Sequence, residues 1–198
     1  TCERVWPYGK HLFMQFGAPG HQPQILHTHL KMEGTWSMHR AGTRWKKPGH
    51  AARVVLSLDD APRDPIELVG FWLGLVRVFP AREYEAEMGY LGPDLLDPDF
   101  DADEAVRRIK AHPDLEIGRA LLDQRNLAGI GNEYRAEINF LAGTHPAALV
   151  RNVDVVKHVR LARRLMWANK DAPVRVTTGV RRTGETSYVF GRNNKPCR

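Results

Sequence analysis

A chain of 198 residues, 42% hydrophobic and 26% charged, has room for one or two domains with a sizeable buried core. No apolar run reaches the ~20 residues that cross a bilayer and no secretory leader opens the sequence; two cysteines, Cys2 and Cys197, are too few for a disulfide framework, which points to a reducing, intracellular setting. The net charge of +6 is uneven, because residues 151–198 hold twelve Lys and Arg against three Asp and Glu and so carry +9, leaving −3 on residues 1–150, an asymmetry that favours a polyanionic partner.

The first half reads as strands. Residues 11–16 (HLFMQF) and 25–30 (ILHTHL) flank a Gly-Ala-Pro-Gly turn. Residues 53–58 (RVVLSL), 66–71 (IELVGF) and 73–79 (LGLVRVF) continue the pattern, with Pro- and Asp-rich turns between them. Short strands separated by such turns predict an antiparallel β-sandwich. The segment 92–99 (GPDLLDPD) then reads as a linker. After it the apolar period becomes helical, with helices predicted over 101–112, 117–127, 133–141 and 153–169. In the longest, Val155, Val156, Val159, Ala162, Leu165 and Met166 make a core-facing stripe. Residues 187–190 (SYVF) are a further strand candidate. The predicted fold class is α+β: β-rich residues 1–92, a linker over 93–100, a helical domain over 101–186, and a short basic end over 187–198.

The most informative stretch is 121–137 (LLDQRNLAGIGNEYRAE). It predicts a helix, a break at Gly129-Ile130-Gly131, and a second helix N-capped by Asn132. A glycine turn feeding a helix N-terminus seats a phosphate, which with the basic end suggests nucleic acid. His27 and His29 alternate on one strand and share a face, yet no third ligand stands at a metal-binding spacing.

Four motifs in order, GKHL at 9–12, HLKMEG at 29–34, the 121–137 stretch and FGRNNKPCR at 190–198, resemble those of the bacterial formamidopyrimidine-DNA glycosylase and endonuclease VIII family, the helix-two-turn-helix glycosylases. LGPDLL at 91–96 sits where that family joins its two domains, and GTWSMHRAG at 34–42 leans toward the endonuclease VIII side. The resemblance implies a base-excision DNA glycosylase with AP lyase activity. Such an enzyme flips an oxidised base, more often a pyrimidine, out of the duplex. A secondary amine attacks C1′ and forms a Schiff base, and β- and δ-elimination follow. The family's nucleophile is the proline of an N-terminal Pro-Glu. Here the first residues are Thr1-Cys2-Glu3, so the resemblance implies that no catalytic nucleophile lies in this sequence. It also implies a structural zinc finger in the intact protein, of whose four ligands only the first, Cys197, is in this sequence.

Carried over residue by residue, the resemblance implies that Lys10 reaches a phosphate beside the flipped nucleotide. His29 and Lys31 touch the backbone, and Met32 enters the gap left by the extruded base. Gly131 and Asn132 clasp a phosphate, Arg135 meets the DNA strand or Glu137, and Arg192 matches a basic position. Glu137 either supports the active site or forms an ion pair along its own helix. Phe190 departs from a more usual tyrosine. The implied partner is double-stranded DNA with an oxidised base or an abasic site, bound by a monomer near the nucleoid, with no membrane. An alternative is a catalytically inactive relative that holds damaged DNA without cutting it; borohydride trapping on a lesion-bearing duplex separates the two. An RNA-binding module fits less well, because HLKMEG and the β-rich half have no place in it.

Overall fold

The computed structural model describes residues 1–58 and 65–198. The turn expected between residues 58 and 66 lies outside the described residues. Two compact units divide the chain, Thr1–Glu87 and Met88–Arg198.

The strands of the first unit are β1 (Cys2–Tyr8), β2 (His11–Phe16), β3 (Gln24–His29), β4 (Thr35–Arg40), β5 (Ala52–Leu58), β6 (Ile66–Phe71) and β7 (Leu75–Pro80). They form two antiparallel sheets, ordered β1-β2-β3-β7 and β4-β6-β5. The inner strands β2 and β3 bury Phe13, Met14, Ile25 and Leu26, as their apolar runs predict. Their register pairs His11 with His29 and Phe13 with His27. Directly opposed residues share a face, as do residues two apart on a strand, so three imidazoles gather on one patch of the sheet.

β1 and β4 are additions to the sequence reading. β1 is an exposed sheet edge with Pro7 inside it. Proline lacks an N–H for the ladder and is tolerated where no further strand follows, and an edge strand needs no buried alternation.

A short helix, α1 (Tyr84–Met88), precedes the helices of the second unit: α2 (Ala102–Lys110), α3 (Ile117–Leu122), α4 (Asn132–Ala142) and α5 (Val155–Ala168). Asp101 caps α2 by accepting from the Glu104 N–H at 2.8 Å, and Asp154 caps α5 by accepting from the Lys157 N–H at 2.9 Å. Leu95, Ile109, Ile117, Leu121, Leu127, Ile130, Ile138, Val159, Ala162 and Leu165 pack into one core.

Four sequence expectations differ from what is observed. α3 ends at Leu122 rather than 127, because Asp123 closes a turn there: its carboxylate accepts from the Arg125 N–H at 3.0 Å and its carbonyl from the Asn126 N–H at 2.9 Å. Val156 lies outside the α5 core stripe and is 44% exposed. Residues 92–95, expected in a linker, run beside the turn after α3. Gly92 N–H donates to Gln124 O at 2.8 Å, Ala128 N–H to Pro93 O at 2.8 Å, and Leu95, fully buried, donates to Ala128 O at 3.3 Å. Finally, 187–190 is not a strand but a run of bends and turns, because its amides donate to a buried carboxylate instead of a neighbouring strand.

Candidate nucleic-acid interface

In the strand unit the candidate residues follow β2 and β3 outward. Lys10 is exposed in the two-residue turn between β1 and β2, where Tyr8 pairs with His11. After β3 the chain makes a tight turn in which Gly34 N–H donates to Leu30 O at 2.9 Å. A Cβ at position 34 would stand 2.4 Å from that carbonyl oxygen, so only glycine closes the turn. Lys31 is held at φ 54, the left-handed region that costs a side-chain-bearing residue. Its N–H donates to His29 Nδ1 at 2.8 Å. The turn leaves Met32 95% exposed, an apolar side chain offered to solvent by a constrained backbone.

His29 is electrostatically coupled to both lysines: partial burial first, then the charges of Lys31 and Lys10, hold its pKa below the ordinary histidine value. The structure thus groups Lys10, His29, Lys31 and Met32 at one end of the sheet. Leu30, Lys31, Met32 and Glu33 also line an open cleft of about 580 Å³ together with Arg53 and Trp72. Those last two escaped the sequence reading. Trp72 is 42% exposed and sits at φ 48, an unusual pairing for a bulky residue, and Lys47 lies over its ring at 5.0 Å. No spacing in the sequence signals either residue.

In the helical unit the turn before α4 is clamped by Gln124. Its side-chain amide donates to Leu122 O at 2.8 Å and Ile130 O at 3.1 Å, while its oxygen accepts from the Gly129 N–H at 2.9 Å. Gly129 takes φ 112, and a Cβ there would meet the Met166 methyl at 2.9 Å. The N-cap of α4 is Gly131 with extended backbone, not Asn132, which is the first helical residue and is exposed. The expectation for Asn132 is corrected because Gly131 already takes the non-helical conformation that a cap needs. The α4 N-cap makes no side-chain hydrogen bond, unlike those of α2 and α5, so the partial positive charge of the helix's leading amides is not offset by a capping side chain. Glu133, the acid nearest that end, is paired with Arg175 at 2.6 Å.

Glu137 is fully buried. Its carboxylate accepts from Thr177 Oγ1 and from the backbone N–H groups of Tyr188, Val189 and Phe190 at 2.8, 2.8 and 2.9 Å. An ion pair along α4 is therefore not what it forms: three successive amides and a hydroxyl take up the acceptor capacity of both oxygens. Arg135 is half-buried, and its carbonyl accepts from the Asn139 side chain at 2.7 Å. Arg192 donates to Pro196 O at 3.0 Å and Gly184 O at 3.2 Å.

For zinc, Cys197 is exposed, and among the described residues no group of three or more His, Cys, Asp or Glu is placed to hold a metal ion. These residues do not fit a tetrahedral site, and no step is drawn through one. Among the described residues no helix is long and apolar enough to cross a membrane.

A turn clamped between two helices, feeding the open N-terminus of the second, defines a helix-two-turn-helix unit. The family model described as formamidopyrimidine-DNA glycosylase H2TH domain matches residues 91–172. Over its whole length the chain is 40% identical to a probable endonuclease 8 2 of Streptomyces coelicolor, covering 69% of that protein. It is likewise 38% identical to a DNA-(apurinic or apyrimidinic site) lyase Nei2 of Mycolicibacterium smegmatis, covering 73% of it. In fold it is similar to the Lactococcus lactis formamidopyrimidine-DNA glycosylase bound to DNA with an AP site, with TM-score 0.64 and 20% identity over 83% of this chain and 63% of the other. The chain belongs to the formamidopyrimidine-DNA glycosylase and endonuclease VIII family, the DNA glycosylase/AP lyases of base-excision repair.

Proposed function

We propose that this chain grips double-stranded DNA at an oxidised base or an abasic site, with oxidised pyrimidines as the preferred lesions. In the strand unit Lys10, His29 and Lys31 hold the sugar-phosphate backbone and Met32 fills the space vacated by the extruded nucleotide. In the helical unit the amides at Gly131 and Asn132 receive a phosphate at the uncapped start of α4. Arg135 and Arg192 add positive charge. Glu137 acts in support, by holding residues 188–190, and takes no proton-transfer step. No residue here is assigned the nucleophile, and a single copy suffices. The 40% identity to an endonuclease 8 supports the pyrimidine preference.

The observation that carries the reading is Met32, 95% exposed on a turn closed by Gly34, with Lys31 and Arg53 lining the same cleft. An exposed apolar wedge on a rigid support is what unstacking a base step requires. The test is fluorescence anisotropy with a duplex carrying a tetrahydrofuran abasic analogue and with its undamaged counterpart. Met32→Ala should shrink the preference for the abasic duplex, and Lys10→Ala should weaken binding to both by about 1–3 kcal/mol, the range for charge-assisted contacts. Unchanged affinity and preference in both variants would overturn the assignment.

A further inference from the structure

Val156 is exposed on a helix whose other valines are buried, and the DNA reading gives it no role. With Phe100, Val106 and Val159 it floors a cleft of about 400 Å³ between α2 and α5, bordered by Arg160, Arg163 and Arg164. Val156, Arg160, Arg164 and Trp167 succeed one another at spacings of four, four and three, which puts them in one stripe along α5. Arg163 is part of the wall. It donates to Leu95 O and, at 3.5 Å, to Pro98 O, and its guanidinium lies over the rings of Phe100 and Trp167 at 5.5 and 4.0 Å. Arg160 and Arg164 are exposed, and neither forms an ion pair or a side-chain hydrogen bond among the described residues. Two cations four residues apart on a helix repel each other, and no acid among the described residues answers this pair.

The distribution of charge selects the occupant. On its α2 side the cleft is lined by Asp103, and the chain leading up to it holds Asp97, Asp99 and Asp101, all exposed. A DNA duplex, with a phosphate charge every ~1.7 Å of its axis, would bring that charge against the aspartates and leave the aliphatic floor uncovered. A short protein segment divides its chemistry as the cleft does. Its carboxylates pair with guanidinium groups in bidentate fashion, and its apolar side chains lie in a groove between helices. We propose that the α2–α5 cleft docks an acidic, apolar-anchored segment of a partner protein, with carboxylates on Arg160 and Arg164 and apolar side chains on Val156 and Phe100. The site is separate from the phosphate seat before α4. Met166, whose methyl lies against Gly129, is buried and stands on another face of α5 from Arg160 and Arg164, so a partner docked in the cleft leaves the DNA-binding turn open.

The test is fluorescence polarisation of a labelled synthetic peptide built of Glu-Leu-Phe-Asp repeats, at physiological ionic strength, where loose attraction between exposed charges is screened. Two control peptides separate the halves of the chemistry: one has Ser in place of Leu and Phe, the other Gln and Asn in place of the acids. The protein variants are Arg160→Glu combined with Arg164→Glu, and Val156→Asp. All three positions are exposed, so the fold should persist, and the thermal midpoint verifies it; Arg163 is left intact because it holds Leu95 O. The wild type should bind the first peptide, and both controls and both variants should weaken that binding by about tenfold or more, the loss of a charge-assisted contact or of an apolar anchor. ¹H–¹⁵N NMR of the wild type with the first peptide should move the amides of residues 100–106 and 156–167 and leave residues 129–132 in place. Anisotropy on the abasic duplex should agree between variants and wild type to within about twofold, a difference well below one hydrogen bond to a charged group. A wild type that ignores the peptide would sink the proposal, as would equal binding of the Ser-containing control, amide shifts confined to other residues, or variants that bind the peptide unchanged. Arginine variants that lose the abasic duplex as steeply as the peptide would instead make the cleft a DNA surface and overturn the docking role.

Discussion

At the scale of single residues, Lys31 and Glu137 show opposite ways of holding unusual backbone. Lys31 occupies φ 54, where a residue with a Cβ is disfavoured by roughly 1–2 kcal/mol; the His29 ring and the Gly34 closure hold it there. Lys31→Gly should therefore raise stability in urea unfolding by about 1 kcal/mol, while DNA affinity drops through loss of the cation. A variant that is destabilised, or that binds as before, would contradict this account. Glu137 instead gathers amides that no regular element uses. Glu137→Ala leaves three amides without an acceptor, while Thr177 Oγ1 can still donate to Thr186 O at 3.3 Å, and opens a buried void, so a loss of about 3–5 kcal/mol is expected in the same measurement. Neither role was legible beforehand. The sequence places Glu137 on a helix beside the active-site motif, but its partners are Thr177 and residues 188–190, and only the folded chain brings them to it.

At the scale of elements, the three longest helices separate stability from binding. α2 and α5 start on aspartates that cap them, and α4 starts on Gly131 without a side-chain cap. Asp154→Ala should cost about 0.5–2 kcal/mol of stability and leave DNA affinity alone. Asn132→Ala should do the reverse, within about 0.5 kcal/mol of wild-type stability for an exposed non-capping residue but with weakened binding. Thermal unfolding and anisotropy on the same two variants check both halves; a large thermal loss in Asn132→Ala would restore it as a cap. Legibility followed burial. β2 and β3 bury continuous apolar runs, α2 and α5 present helically spaced apolar residues to a core, and their positions could be read directly. β1 is an exposed edge, α3 is cut short by the Asp123 side chain, and Val156 belongs to the right helix but the wrong face. Of the candidate site, Lys10, His29, Lys31 and Met32 could be named from two short motifs, whereas Trp72 and Arg53 line the cleft of Lys31 and Met32 through sheet geometry that no local pattern encodes.

At the scale of the whole molecule, buried histidines set the response to acid. His11 and His27 are held at about 4, and His29 and His158 are also lowered, burial being the first cause in each. Their folded-state values lie below that of the unfolded chain, near 6.5. Between about 6.5 and 4 the unfolded chain takes up protons that the folded one refuses. Stability should therefore fall as pH drops through that window, by up to about 1.4 kcal/mol per pH unit for the buried His27, and the fall should ease once the folded rings also protonate. Differential scanning calorimetry at pH 7, 6 and 5 reads this directly. His27→Gln should flatten the slope, and a midpoint independent of pH would count against the neutral patch. In His158, Nδ1 reaches Asp154 O at 2.7 Å while the buried Nε2 has no partner among the described residues, so the unmet atom is a lone pair, not a donor.

The grip of Glu137 on Tyr188, Val189 and Phe190 makes one carboxylate the mooring for the chain's final stretch. Cutting that mooring frees a strip containing Arg192 and Lys195 without unravelling the helices beneath it. Limited trypsin digestion would then nick the alanine variant after Arg192 long before it reaches the helical core, whereas in the parent protein Arg192, half-buried and donating to Pro196 O and Gly184 O, would be cut far more slowly.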